Sequence, residues 1–116
     1  MSREMQQEEY RRIIKTHLRS AYLLSDARIN EVLPRFLETL EILVSDLEKL
    51  SGSGNIEEIN RTGHAIKGAL LNLGLQQLAE KAYALEHYKT LQNQEAGAVQ
   101  LITDLKKEIY KISREP

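Results

Sequence analysis

Apolar residues recur at steps of three and four along most of the chain, which is the spacing that places side chains on one face of an α-helix. The clearest run lies in the first half of the chain and consists of Ile29, Val32 or Leu33, Phe36, Leu40, Leu43, Leu47 and Leu50. No segment alternates apolar and polar residues as a half-buried β-strand does, and no stretch of sequence is repeated. The pattern therefore predicts an all-α protein.

Turn and cap residues divide this pattern into five predicted helices. Residues 51–55 and Gly74 break the chain, and residues 93–97 form a polar turn. Pro34 has no backbone N–H and is therefore expected in the first turn of the second helix, which would begin near Asn30. The predicted helices cover about residues 3–25, 30–50, 56–73, 75–89 and 98–112.

The last four predicted helices are joined by short connections, which favour packing of each helix antiparallel to the next. We therefore expect an antiparallel up-down four-helix bundle over about residues 30–112, with the N-terminal helix as an additional lid or extension. A chain of 116 residues suits one domain with one continuous core. A single domain over residues 1–116 is the expected organisation.

Composition and charge restrict the classes of function. The chain has no Cys, so it cannot build a disulfide scaffold or a thiolate metal site. Its 16 basic and 17 acidic residues give a net charge of -1 without a basic stripe, so neither nucleic acid nor an anionic membrane is an expected partner. The apolar runs are too short for a membrane span or a signal peptide, which makes the cytoplasm the expected compartment. Protein partners are the remaining expectation.

The chain has three histidines, and the direction of each side chain decides what it can do. At 100° per residue, the apolar residues of the third predicted helix lie roughly 140–240° around the axis from His64. His64 is therefore expected to point to solvent, while Ile66, Leu70 and Leu73 are expected in the core. The neighbours of His64 on the outer face, within about 60° on either side, are Asn60, Arg61, Lys67, Gly68 and Leu71.

Three features around His64 favour an anion and a close partner. Gly68 lies one turn later on the same face, where glycine costs about 1 kcal/mol relative to alanine, and its bareness fits close approach by a partner's backbone. Leu71 adds an apolar side chain to that face. Residues 59–79 contain no Asp or Glu, and Lys67 leans toward the helix N-terminus and hence toward His64. A surface histidine without a function is the alternative that remains open.

A set of motifs in the second half of the chain resembles the histidine-containing phosphotransfer (HPt) family. The motifs are His64-Ala65-Ile66-Lys67-Gly68-Ala69, followed by Leu73-Gly74, Leu78 and Leu85-Glu86. The resemblance implies that His64 accepts a phosphoryl group from the aspartyl phosphate of one receiver domain and donates it to the aspartate of another. It implies no ATP site and no cofactor in this chain, because Mg²⁺ would be held by the receiver. A neutral imidazole is a suitable nucleophile for this transfer.

Site roles and partners follow from that resemblance. His64 would be the phospho-acceptor, Lys67 would neutralise the phosphoryl charge, and Gly68 would leave clearance for the partner. Asn60, Arg61 and Leu71 would contribute to docking. The expected partners are receiver domains and a hybrid sensor histidine kinase, and the expected oligomeric state is a monomer.

Two enzyme classes are excluded by spacing, and one binding class stays open. A di-metal four-helix bundle needs Glu three residues before its ligand histidines, but the residues before His17, His64 and His87 are Ile14, Arg61 and Ala84. Residues 51–55 match neither a phosphate-binding loop nor a kinase glycine loop. The open alternative is a helical adaptor or dimerisation module in which His64 has no role, since the apolar stripe of the N-terminal helix continues through His17.

Overall fold

A computed structural model of the chain describes residues 2–88 and 95–114. Within these residues it contains helices and no strand, which confirms the all-α prediction. The five helices are α1 (Arg3–Tyr22), α2 (Asp26–Leu50), α3 (Ile56–Asn72), α4 (Gln76–Glu86) and α5 (Glu95–Ser113).

Short polar side chains set the starts of the first three helices. Ser2, Ser25 and Asn55 each accept a hydrogen bond from the backbone N–H three residues later, at 3.2 Å in all three cases. Such a cap satisfies one of the donors that the first turn of a helix leaves free. At the other end of α3, Gly74 takes a positive φ of 78°, which glycine adopts without strain, and ends the helix as predicted.

The predicted start of the second helix was wrong. The helix begins at Asp26 rather than near Asn30, so Pro34 lies inside it and not in its first turn. Ser25 caps the helix one turn earlier than the proline suggested. Pro34 is exposed, and its ring removes a single hydrogen-bond donor, which a long helix with a buried apolar face can tolerate.

Two further boundaries differ from the prediction near the connection between α4 and α5. Helix α4 ends at Glu86, before the expected end at about Lys89, which lies outside the described residues. Helix α5 begins at Glu95, so Gly97 is helical although a polar turn over 93–97 was expected; residues 93 and 94 are not among those described. Helix ends are weakly specified by sequence, because fraying and packing shift them by a residue or two.

Helices α2 to α5 form the bundle. Helix α3 packs against α4 and α2, and α5 packs against α2 and α4. The apolar faces meet in one core, whose largest fully buried side chains are Ile14, Leu18, Ile29, Leu40, Leu47, Ile66, Leu70, Leu73, Leu85, Leu105, Ile109 and Ile112. Helix α3 is thereby held along one side and presents its other side to solvent.

Helix α1 packs against α2 and α5 and is tied to the C-terminal end of α5. The Arg11 guanidinium donates to the Ile112 carbonyl at 3.0 Å, and the Gln7 amide donates to the Arg114 carbonyl at 2.6 Å. These donors serve carbonyls that the last turn of a helix leaves without partners. Tyr10 donates to the Glu108 carboxylate at 2.8 Å, and burial and that contact both raise the pKa of its hydroxyl.

No helix within the described residues is both long and apolar enough to cross a membrane.

Candidate functional site

His64 lies on the outer side of α3, with 67% of its side chain exposed. On the opposite side of the same helix, Ile66 and Leu70 are fully buried and Leu73 is 1% exposed. This is the arrangement that helical geometry predicts from the sequence. The imidazole is therefore available to a partner and is mounted on a helix that the core holds rigidly.

A carboxylate from α4 fixes one edge of the imidazole. Glu86 Oε1 lies 2.7 Å from His64 Nδ1, and Glu86 Oε2 lies 2.5 Å from Lys67 Nζ. The hydrogen bonds to Lys67 and then to His64 lower the pKa of the Glu86 carboxyl, which is therefore ionised near neutral pH. An ionised carboxylate only accepts hydrogen bonds, so Nδ1 donates its proton in this contact, and in the neutral ring Nε2 is the nitrogen with the free lone pair.

This carboxylate corrects the electrostatic picture drawn from the sequence. The absence of Asp and Glu from residues 59–79 suggested a site without negative charge, but folding places Glu86 directly beside His64 and Lys67. Glu86 is separated from His64 by 22 positions, so no property of the third helix alone could reveal it. The sequence feature that could have identified Glu86 as a site residue is the Leu85-Glu86 pair among the family motifs.

Gly63 lets α4 come close enough for Glu86 to reach the histidine. A Cβ atom at this position would lie 2.8 Å from the backbone nitrogen of Glu86 and 3.0 Å from the backbone carbon of Leu85. Real side chains do not approach a backbone that closely, so any larger residue would push the two helices apart. Gly63 is thus a packing residue that serves the site.

Asn60 holds the same end of α4. Its side-chain amide donates to the carbonyl of Leu85, in the last turn of α4, at 2.8 Å and to that of Tyr88, just beyond the helix, at 2.9 Å. Asn60 is half-buried, and both of its N–H donors are used within the chain. Docking by Asn60 remains a prediction, and the structure adds a role inside the fold.

The remaining residues on the outer face of α3 differ in their exposure and in their contacts within the chain. Arg61 is exposed but forms ion pairs with Glu57 and Glu58 on its own helix. Gly68 has open space above it, since a Cβ built there would meet no atom within 4 Å. Leu71 is 45% exposed. The surface beside His64 is therefore bare at Gly68 and apolar at Leu71.

Tyr83 of α4 belongs to the same surface and was missed by the sequence reasoning. Its ring centroid lies 5.5 Å from Lys67 Nζ and 4.3 Å from the imidazole centroid of His87. The residue precedes Glu86 by one helical turn, so a helical projection of α4 centred on Glu86 would have found it. Tyr83 is 53% exposed and lies beside Lys67 on the α4 side of this surface.

Comparison with known protein families identifies a match for most of the chain. The model of the Hpt domain family matches residues 31–115. The chain belongs to the Hpt domain family. Hpt domains act in phosphotransfer within two-component signalling, and they carry phosphoryl groups without an ATP site of their own. The match spans α2 to α5 from the second turn of α2 onward and leaves α1 outside.

Searches of curated proteins and of solved structures found no match for this Hpt domain.

Proposed function

We propose that this Hpt domain shuttles a phosphoryl group between the aspartates of receiver domains through Nε2 of His64. The observation that carries the proposal is the 2.7 Å contact between Nδ1 and Glu86 on an imidazole that is 67% exposed. That contact fixes the tautomer and orients the ring, so that the unprotonated nitrogen is the one a partner meets. A prearranged nucleophile on a rigid helix is what a carrier without its own metal or ATP needs.

The proposed reaction exchanges a P–O bond for a P–N bond. The Nε2 lone pair of the neutral ring attacks the phosphorus of an aspartyl phosphate. The bond from phosphorus to the aspartate oxygen breaks, and the aspartate leaves as a carboxylate with the electron pair. The Nδ1 proton stays on the ring, which becomes positively charged, and the Glu86 carboxylate stabilises that charge through the existing hydrogen bond. The reverse reaction on a second receiver passes the phosphoryl group onward.

Lys67 is assigned the neutralisation of the phosphoryl charge. In the resting site its ammonium pairs with Glu86, so the groove beside the imidazole holds one negative and one positive group. A phosphoryl group on Nε2 adds between one and two negative charges, and Lys67 lies one turn along the helix from it. Lys67 then balances two anionic groups, the carboxylate and the phosphoryl group, which it can approach from the same position on α3.

The partner supplies the rest of the chemistry in this proposal. Receiver domains and a hybrid sensor histidine kinase would dock around His64, with Arg61 and Leu71 in contact and Gly68 leaving clearance for the receiver backbone. Mg²⁺ and the acidic residues that bind it are expected on the receiver. The chain would work in the cytoplasm as a monomer.

The decisive experiment follows phosphate from receivers to this chain. Purified receiver domains charged with acetyl phosphate and Mg²⁺ are incubated with the parent and with His64→Gln, and phosphate on the chain is tested for acid lability and base stability. We expect uptake by the parent and none by His64→Gln. His17→Gln is the control, because His17 packs against the Gly74 turn away from the site and should leave uptake intact.

Uptake that persists in His64→Gln would overturn the proposal. So would a parent chain that takes no phosphate from any receiver, which would favour the adaptor or dimerisation module instead.

A further inference from the structure

We infer that the receiver binds a composite surface of α3 and α4 on which Tyr83 and Leu71 are the apolar anchors. The inference rests on the proposed function, because it assumes that a receiver brings its phosphoaspartate to His64. The surface, called the α3–α4 face below, consists of His64, Gly68 and Leu71 from α3, Tyr83 from α4, and the Lys67–Glu86 pair at its floor.

Tyr83 is linked to His64 through two side chains that lie between them, Lys67 and Glu86. The Tyr83 ring lies 5.5 Å from the Lys67 ammonium, which is 2.5 Å from Glu86 Oε2, and Glu86 Oε1 is 2.7 Å from His64 Nδ1. Leu71 follows His64 by seven residues, which is two helical turns or about 10 Å along the axis. The two exposed apolar side chains therefore lie beside the histidine along different helices.

A protein interface of ordinary size around His64 is large enough to cover both residues. A specific complex buries about 800 Å² on each partner, which corresponds to a roughly circular patch of about 16 Å radius. The reacting phosphorus must come within about 3–3.5 Å of Nε2, so His64 lies inside that patch. A patch centred near His64 reaches Leu71 at about 10 Å and includes the ring beside Lys67.

Tyr83 has the properties of an interface anchor. It is 53% exposed, so it retains a large area to bury against a partner. Its ring is already held between the Lys67 ammonium and the His87 imidazole, and binding therefore costs little additional rotamer freedom. Aromatic residues of this kind dominate the binding energy of many interfaces.

The charges of the α3–α4 face are paired within the chain. Lys67 and Glu86 neutralise each other, and their side chains are only 22% and 17% exposed. Arg61, at the edge of the face, is paired with two glutamates of its own helix. The partner that fits this face therefore presents apolar side chains around its phosphoaspartate rather than a strongly charged patch.

The test compares exposed apolar residues on and off the face. The test variants are Leu71→Ser and Tyr83→Ser, with Tyr83→Phe to keep the ring. The matched controls are Val99→Ser on α5, where Val99 is 46% exposed, and Ile42→Ser on α2, where Ile42 is 54% exposed. The probe is a receiver domain that phosphorylates the parent chain, and its dissociation constant is measured by NMR titration in the unphosphorylated state.

We expect Tyr83→Ser to weaken receiver binding roughly ten- to thirtyfold and Leu71→Ser by roughly fivefold, as for truncated interface anchors. Tyr83→Phe and the two controls should bind within about twofold of the parent. Equal binding by Tyr83→Ser and the parent would overturn the inference, as would equal losses in the test and control variants.

Phosphoramidate, a small phosphoryl donor, separates this inference from the proposed function. Its P–N bond breaks as Nε2 bonds to phosphorus, with ammonia as the leaving group, and no docking surface is needed. We expect mass spectrometry to find phosphate on His64 in the parent and in Val99→Ser, and no phosphohistidine at that position in His64→Gln. If the parent is modified in this way while Tyr83→Ser binds the receiver as tightly as the parent does, only the α3–α4 face is contradicted. Failure to modify His64 in the parent would contradict the proposed function.

Discussion

Two glycines on α3 have opposite surroundings although they are five residues apart. Gly63 faces α4, where an added Cβ would lie 2.8 Å from the Glu86 backbone. Gly68 faces solvent, where an added Cβ would meet nothing within 4 Å. Position 63 requires glycine because the packing of α4 leaves no room there for a side chain. The second costs the helix stability without any gain inside the chain, and we propose that the space serves a partner.

We expect the two sides of α3, the flank packed against α4 and the flank open to solvent, to have different roles. The packed flank holds Gly63, Asn60 and Lys67, which bring α4 and its Glu86 into position. The open flank presents His64 and Gly68. Substitutions on the packed flank should act through stability and site geometry, whereas substitutions on the open flank should act through the complex.

The largest effect is expected for Gly68→Gln. The added side chain would stand one turn from His64, and a displacement of the reacting atoms by about 1 Å can lower a transfer rate on the order of a hundredfold. The isolated chain should be as stable as the parent or more stable, because glutamine is a better helix former than glycine. Quenched time courses with a phosphorylated receiver measure the rate of phosphoryl transfer. Thermal unfolding of the isolated chain measures its stability.

Gly97→Gln is the matched control for that variant. Gly97 is also helical and also has open space above it, but it lies on α5. Gly97 lies in the first turn of α5, so this variant should gain less stability than Gly68→Gln, and it should transfer phosphate at the parent rate. If Gly68→Gln transferred as fast as Gly97→Gln, no partner would approach α3 at Gly68 and the open flank would have no special task.

A smaller effect, on stability, is expected for Gly63→Ala. The methyl group must displace the α4 backbone, and overpacking of this kind costs about 1–3 kcal/mol. For a chain of this size we expect the melting temperature to fall by roughly 5–15 °C. The matched substitution Gly68→Ala should instead raise stability by about 1 kcal/mol.

A melting temperature that is unchanged in Gly63→Ala would show that α3 and α4 are not in close contact there. In that case Glu86 would need another explanation for its position beside His64.

The smallest effect concerns the charge on the packed flank and depends on pH. Lys67 and then His64 lower the pKa of Glu86 in the folded chain. A carboxyl group with a lowered pKa stabilises the fold above the pKa it has when unfolded, and that contribution is lost as the pH falls through the folded-state pKa. Glu86→Gln should therefore be less stable than the parent near pH 7, and the difference should shrink below about pH 4.5.

Thermal unfolding of both chains over a pH series measures this difference. A gap between parent and Glu86→Gln that stayed constant down to pH about 3 would mean that Glu86 is held by packing and not by its charge.

The orientation of α3 was predictable from sequence, and the composition of the site was not. His64 outside and Ile66 and Leu70 inside follow from the repeat of a single helix. Glu86 and Tyr83 enter the site only when α4 packs against α3, and the register between two helices depends on side-chain fit along their whole contact. The same limit applies to Gly63, because its close packing against α4 is not visible in the sequence of α3 alone.

The prediction of where α2 begins was wrong for a different reason. Pro34 is a strong local signal and Ser25 a weak one, since serines are common and only those followed by a packed apolar face act as caps. The apolar stripe of α2 begins at Ile29, which is 1% exposed. Burial of Ile29 is a tertiary effect that outweighs the preference of proline for a helix start.

Helix α1 lies outside the family match but packs against the bundle. The family match begins at residue 31, yet Ile14 and Leu18 of α1 are fully or almost fully buried against the bundle. Gln7 and Arg11 also bind the last carbonyls of α5. A fragment cut at the family boundary would lose those donors, the Ser25 cap and the first turn of α2, and it would expose the apolar floor that Ile14 and Leu18 now cover. We therefore expect the unit that unfolds cooperatively to be longer than the residues of the family match and to include α1.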